Sequence, residues 1–464
     1  MMNKWNGKKV IVIGAARQGL ALSRYLTAHG AAVILTDSRA ESDLASEIAA
    51  LQGTGVEWSL GGHPLELLEG ADLVCPSGGV PLTIPLVQEA LRRKIPLSND
   101  SQIFLEACPS TVIGITGSAG KTTTTALVGL MAQKFFEMKN SSNKAWVGGN
   151  IGNSLIEQVD AMQEDDLVVM ELSSFQLELM TRSPQVAAIL NITPNHLDRH
   201  ANMQAYTAAK ANILFHQHPG DVAILNRDDS GSWGLVDQLR SDLISFGFHK
   251  SASNINGTYI EKDSIWLQIG RDQLKMLPVE WVSLRGHHNI DNVLAACAIA
   301  AGASLALPAI QTAVEEFTGV PHRLEFVRTY KGADWYNDSI ATAPERTIAA
   351  IESFDERLIL LLGGRDKNLP WDKLASLARQ RVSHVILFGE AADLIDKAIG
   401  PAQKGQTLIS VTRCVTLQEA VQAAADLAQE RDVVLLSPGG TSFDAFKDFE
   451  ERGESYRKWV NELV

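Results

Sequence analysis

The sequence predicts an α/β protein of three domains. Its 464 residues are too many for one hydrophobic core, and ordinary domain sizes give about three domains. The chain opens with a strand, a glycine turn, a helix and a second strand, which together form a βαβ unit. Further along, strand-like runs that are apolar throughout alternate with polar loops, as in parallel sheets covered by helices on both faces. We therefore expect Rossmann-like terminal domains on either side of a central domain with a mainly parallel sheet.

The composition is that of a globular protein with no basic partner-binding face. Hydrophobic residues make up 45% of the chain and charged residues 20%, and the formal net charge is −13. This charge argues against a duplex nucleic acid or an anionic membrane as a partner, because both need a basic face. The four cysteines are far apart, which indicates reduced thiols rather than disulfides or a zinc site. The first apolar run is too short for a signal peptide or a membrane span, so we expect a cytoplasmic protein.

The amino-terminal βαβ unit carries an incomplete dinucleotide fingerprint. The strand KVIVIG ends at Gly14 and a second glycine follows at Gly19, but Ala16 occupies the middle glycine position. A redox dinucleotide is therefore disfavoured, and a nucleotide site and a purely structural turn remain equally open from this region alone. Another strand ends in the small residues of SGGV (77–80), and Cys-Pro-Ser (108–110) then breaks the pattern. We place the first domain at residues 1–108.

The central feature of the chain is TVIGITGSAGKTTTT (111–125), an apolar strand followed by a glycine turn and the start of a helix. Gly117 and Gly120 let the backbone approach an anion, and the amides of the turn point toward it. Lys121 adds a positive charge, and the hydroxyl of Thr122 is a ligand for Mg²⁺. This context predicts a P-loop for phosphate, although the first glycine stands one position earlier than in the common spacing.

Several polar groups follow core strands of the predicted central domain. Glu171 ends an apolar strand, where a carboxylate can meet a phosphate-bound metal; the alternative is an edge carboxylate that faces water. His196 lies in a polar cluster, NHLDRH (195–200), after the next strand, which favours a site over a structural histidine. Lys210 is the single charge on an apolar helical stretch, and from the residues alone it reads as a lysine that extends to the surface.

Further polar groups lie near the second domain boundary. Asn289 and Asn292 are three residues apart near the start of a helix, where they can be ordinary polar positions. Arg323 and Asp338 can reach phosphate or pair with each other. We place this boundary just after GVPHRLE, which gives a central domain at 109–325 and a carboxyl-terminal domain at 326–464.

Nine motifs in order make the chain resemble the Mur ligases of peptidoglycan synthesis over its whole length. The resemblance is greatest to the members that add glutamate to UDP-N-acetylmuramoyl-L-alanine. The motifs are TGSAGKTTTT (116–125), GGNIG (148–152), ELSSFQL (171–177), NITPNHLDRH (191–200), YTAAK (206–210), HNIDN (288–292), GVPHRLE (319–325), NDSIAT (337–342) and SPGGTSFDAFKDFEERG (437–453).

The resemblance implies a reaction with ATP. The substrate carboxylate becomes an acyl phosphate, and the amine of glutamate attacks it to form an amide. Lys121 and the loop amides would hold the phosphates. Thr122 and Glu171 would bind one Mg²⁺, and His196 and Lys210 a second, with Lys210 carbamylated by CO₂. The resemblance also implies a monomer whose partners are these small-molecule substrates.

The resemblance assigns the remaining site residues in groups. The ATP-binding residues would be Gly117, Ser118, Ala119, Gly120, Lys121, Thr122, Thr123, Asn289, Asn292, Arg323 and Asp338. The residues of the uridine-nucleotide substrate would be Asp37, Ser38, Arg39 and Asn150. The residues around the incoming glutamate would be Thr342, Lys367, Ser442 and Phe449.

Three positions depart from the family pattern. Ala119 replaces a frequent asparagine in the phosphate loop, and SGGV (77–80) lacks the usual proline. Ile340 stands where many relatives have lysine in NDSKAT, which removes a cation from the amino-acid pocket. D-glutamate is the expected acceptor and L-glutamate the alternative. Other classes of protein that keep a phosphate loop are a P-loop ATPase without ligase activity and a non-catalytic nucleotide sensor.

Overall fold

The computed structural model describes residues 4–152, 154–194, 199–200, 202–251, 255–401 and 405–464. The chain forms two compact units. The first unit contains Met1–Val282 and Asp291–Glu316, and the second contains Ser283–Ile290 and Phe317–Val464. The first unit holds two sheets and the second unit holds one. The predicted α/β class is confirmed, because helices alternate with strands that are mostly parallel. The predicted boundaries at 108 and 325 stay predictions.

The amino-terminal sheet has four parallel strands in the order β3-β2-β1-β4. Its strands are β1 (Lys9–Ile13), β2 (Ala32–Asp37), β3 (Glu57–Leu60) and β4 (Leu73–Pro76). Its helices are α1 (Arg17–Ala28), α2 (Ala45–Ala50), α3 (Pro85–Arg92) and α4 (Asp100–Ala107).

Nine strands form the central sheet, in the order β13-β12-β11-β10-β9-β8-β5-β7-β6. They are β5 (Thr111–Thr116), β6 (Ala145–Gly149), β7 (Leu167–Glu171), β8 (Val186–Ile189), β9 (Val222–Asn226), β10 (Asp242–Phe246), β11 (Gly257–Glu261), β12 (Ser264–Ile269) and β13 (Asp272–Pro278). The helices of this part of the chain are α5 (Lys121–Met138), α6 (Ser174–Leu177), α7 (Met203–Phe215), α8 (Ser230–Trp233), α9 (His287–Gly302) and α10 (Leu307–Glu316).

The second unit has a six-stranded sheet in the order β14-β15-β19-β16-β17-β18. Its strands are β14 (Glu325–Tyr330), β15 (Ala333–Asn337), β16 (Leu358–Gly363), β17 (Val382–Phe388), β18 (Ser410–Arg413) and β19 (Val433–Gly439). Its helices are α11 (Pro344–Ile351), α12 (Asp372–Arg381), α13 (Ala392–Ile399), α14 (Leu417–Leu427) and α15 (Phe449–Glu462).

Both faces of the parallel sheets are buried, as the apolar strands predict. In β1, Val10 and Val12 pack into one hydrophobic cluster, and Ile11 and Ile13 pack into another. Side chains of a strand point alternately to its two faces, so each face of this sheet is covered. In β16, Leu358, Leu360 and Leu362 and the two residues between them divide in the same way. The carboxyl ends of the strands are thereby held rigidly, and the predicted functional loops follow several of them.

Antiparallel strands are confined to the sheet margins. Strands β11, β12 and β13 pair antiparallel at one edge of the central sheet, and β14 pairs antiparallel with β15 in the second unit. The central sheet is therefore mainly parallel, as predicted, with antiparallel pairs at one edge. Among the residues described, no helix has both the length and the apolar character needed to cross a membrane.

Candidate functional site

The predicted phosphate loop joins β5 to α5, as the sequence indicates. Gly120 adopts the left-handed conformation at φ 81°, and α5 begins at Lys121. A Cβ atom at Gly120 would lie 2.2 Å from Oδ1 of Asn292, so only glycine fits between the loop and this side chain. The Nζ atom of Lys121 donates to the carbonyl oxygen of Gly117 at 3.0 Å. The lysine therefore folds back over the loop, where its charge can meet a phosphate.

Two amides of the phosphate loop already have partners. The amide of Ser118 donates to the carbonyl oxygen of Asn191 at 3.0 Å, and the amide of Ala119 donates to Asn191 Oδ1 at 2.8 Å. Asn191 follows β8, the strand beside β5. Phosphate binding by these two amides thus requires Asn191 to release them, and their predicted role stays a prediction.

Glu171 lies at the carboxyl end of β7, next to the phosphate loop in the sheet. Its Oε2 atom accepts a hydrogen bond from Thr122 Oγ1 at 2.9 Å, and its Oε1 atom accepts one from Asn150 Nδ2 at 3.0 Å. Only 1% of Glu171 is exposed, so the alternative of an edge carboxylate in water is wrong. The side chains of Thr122 and Asn150 thus both contact the carboxylate of Glu171, although the three residues come from separate motifs.

Lys210 is buried beside the same loop. It lies on α7 with 1% exposure, and its Nζ donates to the Gly117 carbonyl oxygen at 3.0 Å and to Thr116 Oγ1 at 3.3 Å. The reading of Lys210 as a lysine that extends to the surface is therefore wrong, because helix α7 directs it into the core. Burial and the nearby charge of Lys121 hold the pKa of Lys210 well below its usual range, although Glu171 opposes the shift.

Of the NHLDRH cluster (195–200), the structure describes Arg199 and His200. His196 lies outside the described residues, as does Asp198. Arg199 donates to the carbonyl oxygen of Gly79 at 3.0 Å. The ring of His200 lies 2.9 Å from Ser174 Oγ through Nε2 and stacks on Phe175. His200 is thus tied to the ELSSFQL segment, and Arg199 to the SGGV turn.

The donor set around Glu171 fits a magnesium ion that is shared with phosphate. Among the described residues, no group of three or more His, Cys, Asp and Glu side chains could hold a metal by itself. Mg²⁺ usually takes one or two carboxylates and completes its octahedral shell with water and substrate phosphate. The convergence of the Glu171 carboxylate and the Thr122 hydroxyl beside a phosphate loop matches that need.

Asp37 organises the turn at the end of β2. Burial opposes its ionisation, but hydrogen bonds from the Arg39 side chain and from the amides of Arg39 and Ala15 lower the pKa of Asp37 to about 2. Ser38 and Arg39 are exposed. The predicted uridine-binding residues therefore form a rigid, ionised strand end, and their contact with a nucleotide stays a prediction.

The second unit contains three of the predicted ATP-binding residues. Asp338 follows β15 and accepts hydrogen bonds from Ser437 Oγ at 2.8 Å and from the Leu324 amide at 3.3 Å. Burial raises the pKa of Asp338 to about 7, although the Ser437 hydrogen bond and the charge of Arg323 oppose the rise. The side chain of Asn289 donates to the carbonyl oxygen of Arg285 at 2.7 Å. Asn292, the fourth of this group, lies in the first unit.

The predicted glutamate-binding residues follow adjacent strands of the second unit. Thr342, Lys367 and Ser442 follow β15, β16 and β19, which are neighbours in the sheet. Lys367 Nζ lies 3.4 Å from Thr342 Oγ1, so these two side chains meet directly. Ser442 is buried, and Phe449 begins α15. Their common position at the carboxyl edge is where open α/β sheets bind ligands.

Two arginines near these loops were not singled out from the sequence. Arg452, with none of its surface exposed, donates to Ser339 Oγ, to the Ser339 carbonyl oxygen and to the Gly440 carbonyl oxygen at 3.0, 2.8 and 3.1 Å. It therefore joins the loops after β15 and β19. Arg346 lies in the first turn of α11 and donates to the Ile340 carbonyl oxygen at 3.2 Å. A cation in the first turn of a helix opposes the helix dipole, and this was the available signal for Arg346.

Family models cover most of the chain. Residues 8–98 match the Mur ligase MurD-like N-terminal domain, residues 115–300 the Mur ligase middle domain, and residues 322–440 the Mur ligase glutamate ligase domain. The three matches agree with the three sheets of the structure. The chain therefore belongs to the Mur ligase family, whose members are ATP-dependent ligases.

Curated relatives match this chain over nearly its full length. A UDP-N-acetylmuramoylalanine--D-glutamate ligase of Symbiobacterium thermophilum is 38% identical over 456 residues, which is 98% of each chain. A protein of the same name from Koribacter versatilis is 38% identical, over 99% of this chain and 98% of its own. Among solved structures, a UDP-N-acetylmuramate-alanine ligase of Thermotoga maritima shares the fold at 19% identity with a TM-score of 0.57, over 98% of this chain and 99% of its own.

Proposed function

We propose that the chain is an ATP-dependent amide ligase that adds D-glutamate to UDP-N-acetylmuramoyl-L-alanine. The observation that carries the proposal is the meeting of the phosphate loop, the buried Glu171 and the buried Lys210 at one sheet edge. An ATPase without an acceptor would need the first two features only. The D-glutamate ligases that match the chain over its full length support the choice of substrates.

The reaction has two steps. First, the alanyl carboxylate attacks the γ-phosphorus of ATP, the bond to ADP breaks, and an acyl phosphate forms. The amine of glutamate then attacks the acyl carbon, phosphate leaves, the amine loses a proton, and an amide bond remains. Both substrates of the first step are anionic, so the site must supply positive charge.

The residues of the first unit divide this work. Lys121 would hold the β- and γ-phosphates, and the Gly120 turn would let them approach the backbone. Asn150 would hold Glu171 in place through its hydrogen bond to Oε1. We expect two Mg²⁺ ions, which would neutralise the charge of the phosphates. Thr122 and Glu171 would hold one ion, and His196 and Lys210 would hold the other. The expected monomeric state and cytoplasmic location stay predictions.

A phosphate-release assay tests the function. The protein is supplied with ATP, Mg²⁺ and UDP-N-acetylmuramoyl-L-alanine, and with D-glutamate or L-glutamate in separate reactions. We expect release that depends on both organic substrates and strongly prefers D-glutamate, because the two enantiomers place the amine differently when both carboxylates are bound. Product from L-glutamate alone would overturn the acceptor and leave the ligase chemistry standing. Release without any acceptor would indicate an ATPase.

Lys210 is proposed to carry a carbamate in the active enzyme. Its ammonium form is destabilised by burial and by Lys121, and the neutral amine is the form that reacts with CO₂. Two oxygens on a buried lysine would give Mg²⁺ the ligands it prefers. After equilibration with ¹³C-bicarbonate, we expect one carbamate NMR signal that disappears in Lys210→Ala. The exposed Lys139→Ala is the control and should keep the signal. If wild-type protein shows no carbamate signal after equilibration with ¹³C-bicarbonate and yet retains full turnover, the carbamate is contradicted.

A further inference from the structure

A cation contacts the loop in which this chain has Ile340 instead of the lysine of the family pattern. Arg346, in the first turn of α11, donates from Nη1 to the carbonyl oxygen of Ile340 at 3.2 Å. The amide of Thr342 donates to the same oxygen at 2.9 Å. The guanidinium of Arg346 therefore lies against the backbone of residues 340–342, although it comes from a different element.

A second cation contacts the same loop. Lys367 Nζ lies 3.4 Å from Oγ1 of Thr342, which is two residues after Ile340. Partial burial lowers the pKa of Lys367, and the charge of Arg346 lowers it further. Both cations therefore contact the short loop 340–342, one at the Ile340 carbonyl oxygen and the other at the Thr342 hydroxyl. Among the described residues, no carboxylate oxygen lies within 4.0 Å of either cation.

The protein itself does little to neutralise these two charges. Asp338 interacts with Arg346 electrostatically, but it bonds to Ser437 and to the Leu324 amide, and its raised pKa of about 7 leaves it partly protonated near neutral pH. Arg346 also lies at the positive end of the α11 dipole, which disfavours a cation. Both side chains are exposed, so an anion from solution can reach the two cations and pair with them.

We propose that Arg346 is a specificity-determining residue that, together with Lys367, binds the carboxylates of the acceptor amino acid in place of a lysine at position 340. This inference rests on the proposed function, because it names how that acceptor is held. A guanidinium can pair with a carboxylate through two parallel hydrogen bonds, and a guanidinium that holds the side-chain carboxylate selects glutamate over glutamine. Under this proposal Arg346 supplies the positive charge that a lysine at position 340 would supply.

The test compares Arg346→Gln, Arg346→Lys and the double variant Ile340→Lys/Arg346→Gln with wild type. We expect Arg346→Gln to raise the KM for glutamate about 10- to 100-fold, because one charged hydrogen bond is lost. The KM values for ATP and the UDP substrate should stay within about twofold. Arg346→Lys should be intermediate, and the double variant should recover at least about a third of the lost affinity on a logarithmic scale. The matched control is Lys458→Gln, an exposed cation on α15, which should change none of these values.

Each result decides the inference. An unchanged KM for glutamate in Arg346→Gln overturns it, and so does a parallel rise in all three KM values, which indicates general damage. No recovery in the double variant also counts against it, because the two positions would then not share a role. Failure of the proposed function is separate: wild type would then form no amide. In that case calorimetric titration of glutamate into wild type and Arg346→Gln still shows whether Arg346 binds the anion.

Discussion

At the scale of single residues, two buried basic side chains show how the chain uses different chemistry for different tasks. Arg452 and Lys210 are almost fully buried, and among the described residues neither has a carboxylate within 4.0 Å. Arg452 keeps its charge because its planar fork donates to three oxygens at once. Lys210 has only two acceptors, and its ammonium form is destabilised. The arginine therefore suits the fixing of loops, and the lysine suits covalent modification.

Replacement of Lys121 by alanine tests the phosphate loop. The change removes a positive charge from a partly dehydrated site, where such a contact contributes on the order of 3 kcal/mol or more to the transition state. We expect turnover to fall at least about a hundredfold while the fold is retained. Steady-state phosphate release measures turnover, and circular dichroism checks the fold.

Lys139, at the other end of the same helix, provides the comparison for Lys121. It is exposed and caps α5 at its carboxyl end. Lys139→Ala should cost a few tenths of a kcal/mol of stability and leave turnover unchanged. Near-normal turnover in Lys121→Ala would remove the basis for the loop assignment.

At the scale of elements, α4 begins with a buried carboxyl group that weakens the fold at neutral pH. Asp100 is 8% exposed, and its Oδ1 atom has no hydrogen-bond partner among the described residues. Burial raises the pKa of Asp100 to about 6, although hydrogen bonds from Ser101 and Gln176 oppose the rise. In the unfolded chain the same group ionises near 3.8. The folded state therefore loses stability between about pH 4 and 6, because the unfolded chain releases this proton first.

Asp100→Asn should accordingly stabilise the protein in a pH-dependent way. At pH 8 the gain should approach about 3 kcal/mol, which is the equivalent of a shift of about two pKa units, and near pH 4 it should vanish. Urea unfolding at both values measures the difference. The exposed Asp165→Asn is the control and should show no such pH dependence. A gain that is equal at both pH values would mean that packing, not ionisation, is responsible.

Local patterns in the sequence predict helices and strands well, but they predict contacts between these elements poorly. The βαβ opening and the phosphate loop are contiguous, so glycine spacing and apolar runs identified them. The burial of Lys210 depends on which face of α7 packs against β5, and the polar residues of this helix form no stripe that would mark its buried side. The contact of Arg346 with Ile340 depends on the path of the loop between β15 and α11. The spacing of residues in the sequence therefore predicts neither of these contacts.

At the scale of the whole molecule, each compact unit has its own hydrophobic core. The clusters around β1 and the central sheet belong to the first unit, and those on the two faces of β16 belong to the second. A unit with its own core can unfold as a cooperative transition of its own. The predicted residues for the UDP substrate all lie in the first unit, and those for glutamate all lie in the second. Binding should therefore act on separate transitions.

Differential scanning calorimetry with single substrates tests this division. A ligand that binds only the folded state stabilises it by about 2.7 kcal/mol at a hundred times its Kd. We expect UDP-N-acetylmuramoyl-L-alanine to raise the melting temperature of one transition and D-glutamate to raise that of the other. The transition that responds to glutamate should lose its response in Arg346→Gln, whereas the response to the UDP substrate should persist. A single transition that both ligands shift equally would show that the two units unfold together. Their separate hydrophobic cores would then not give them independent stabilities.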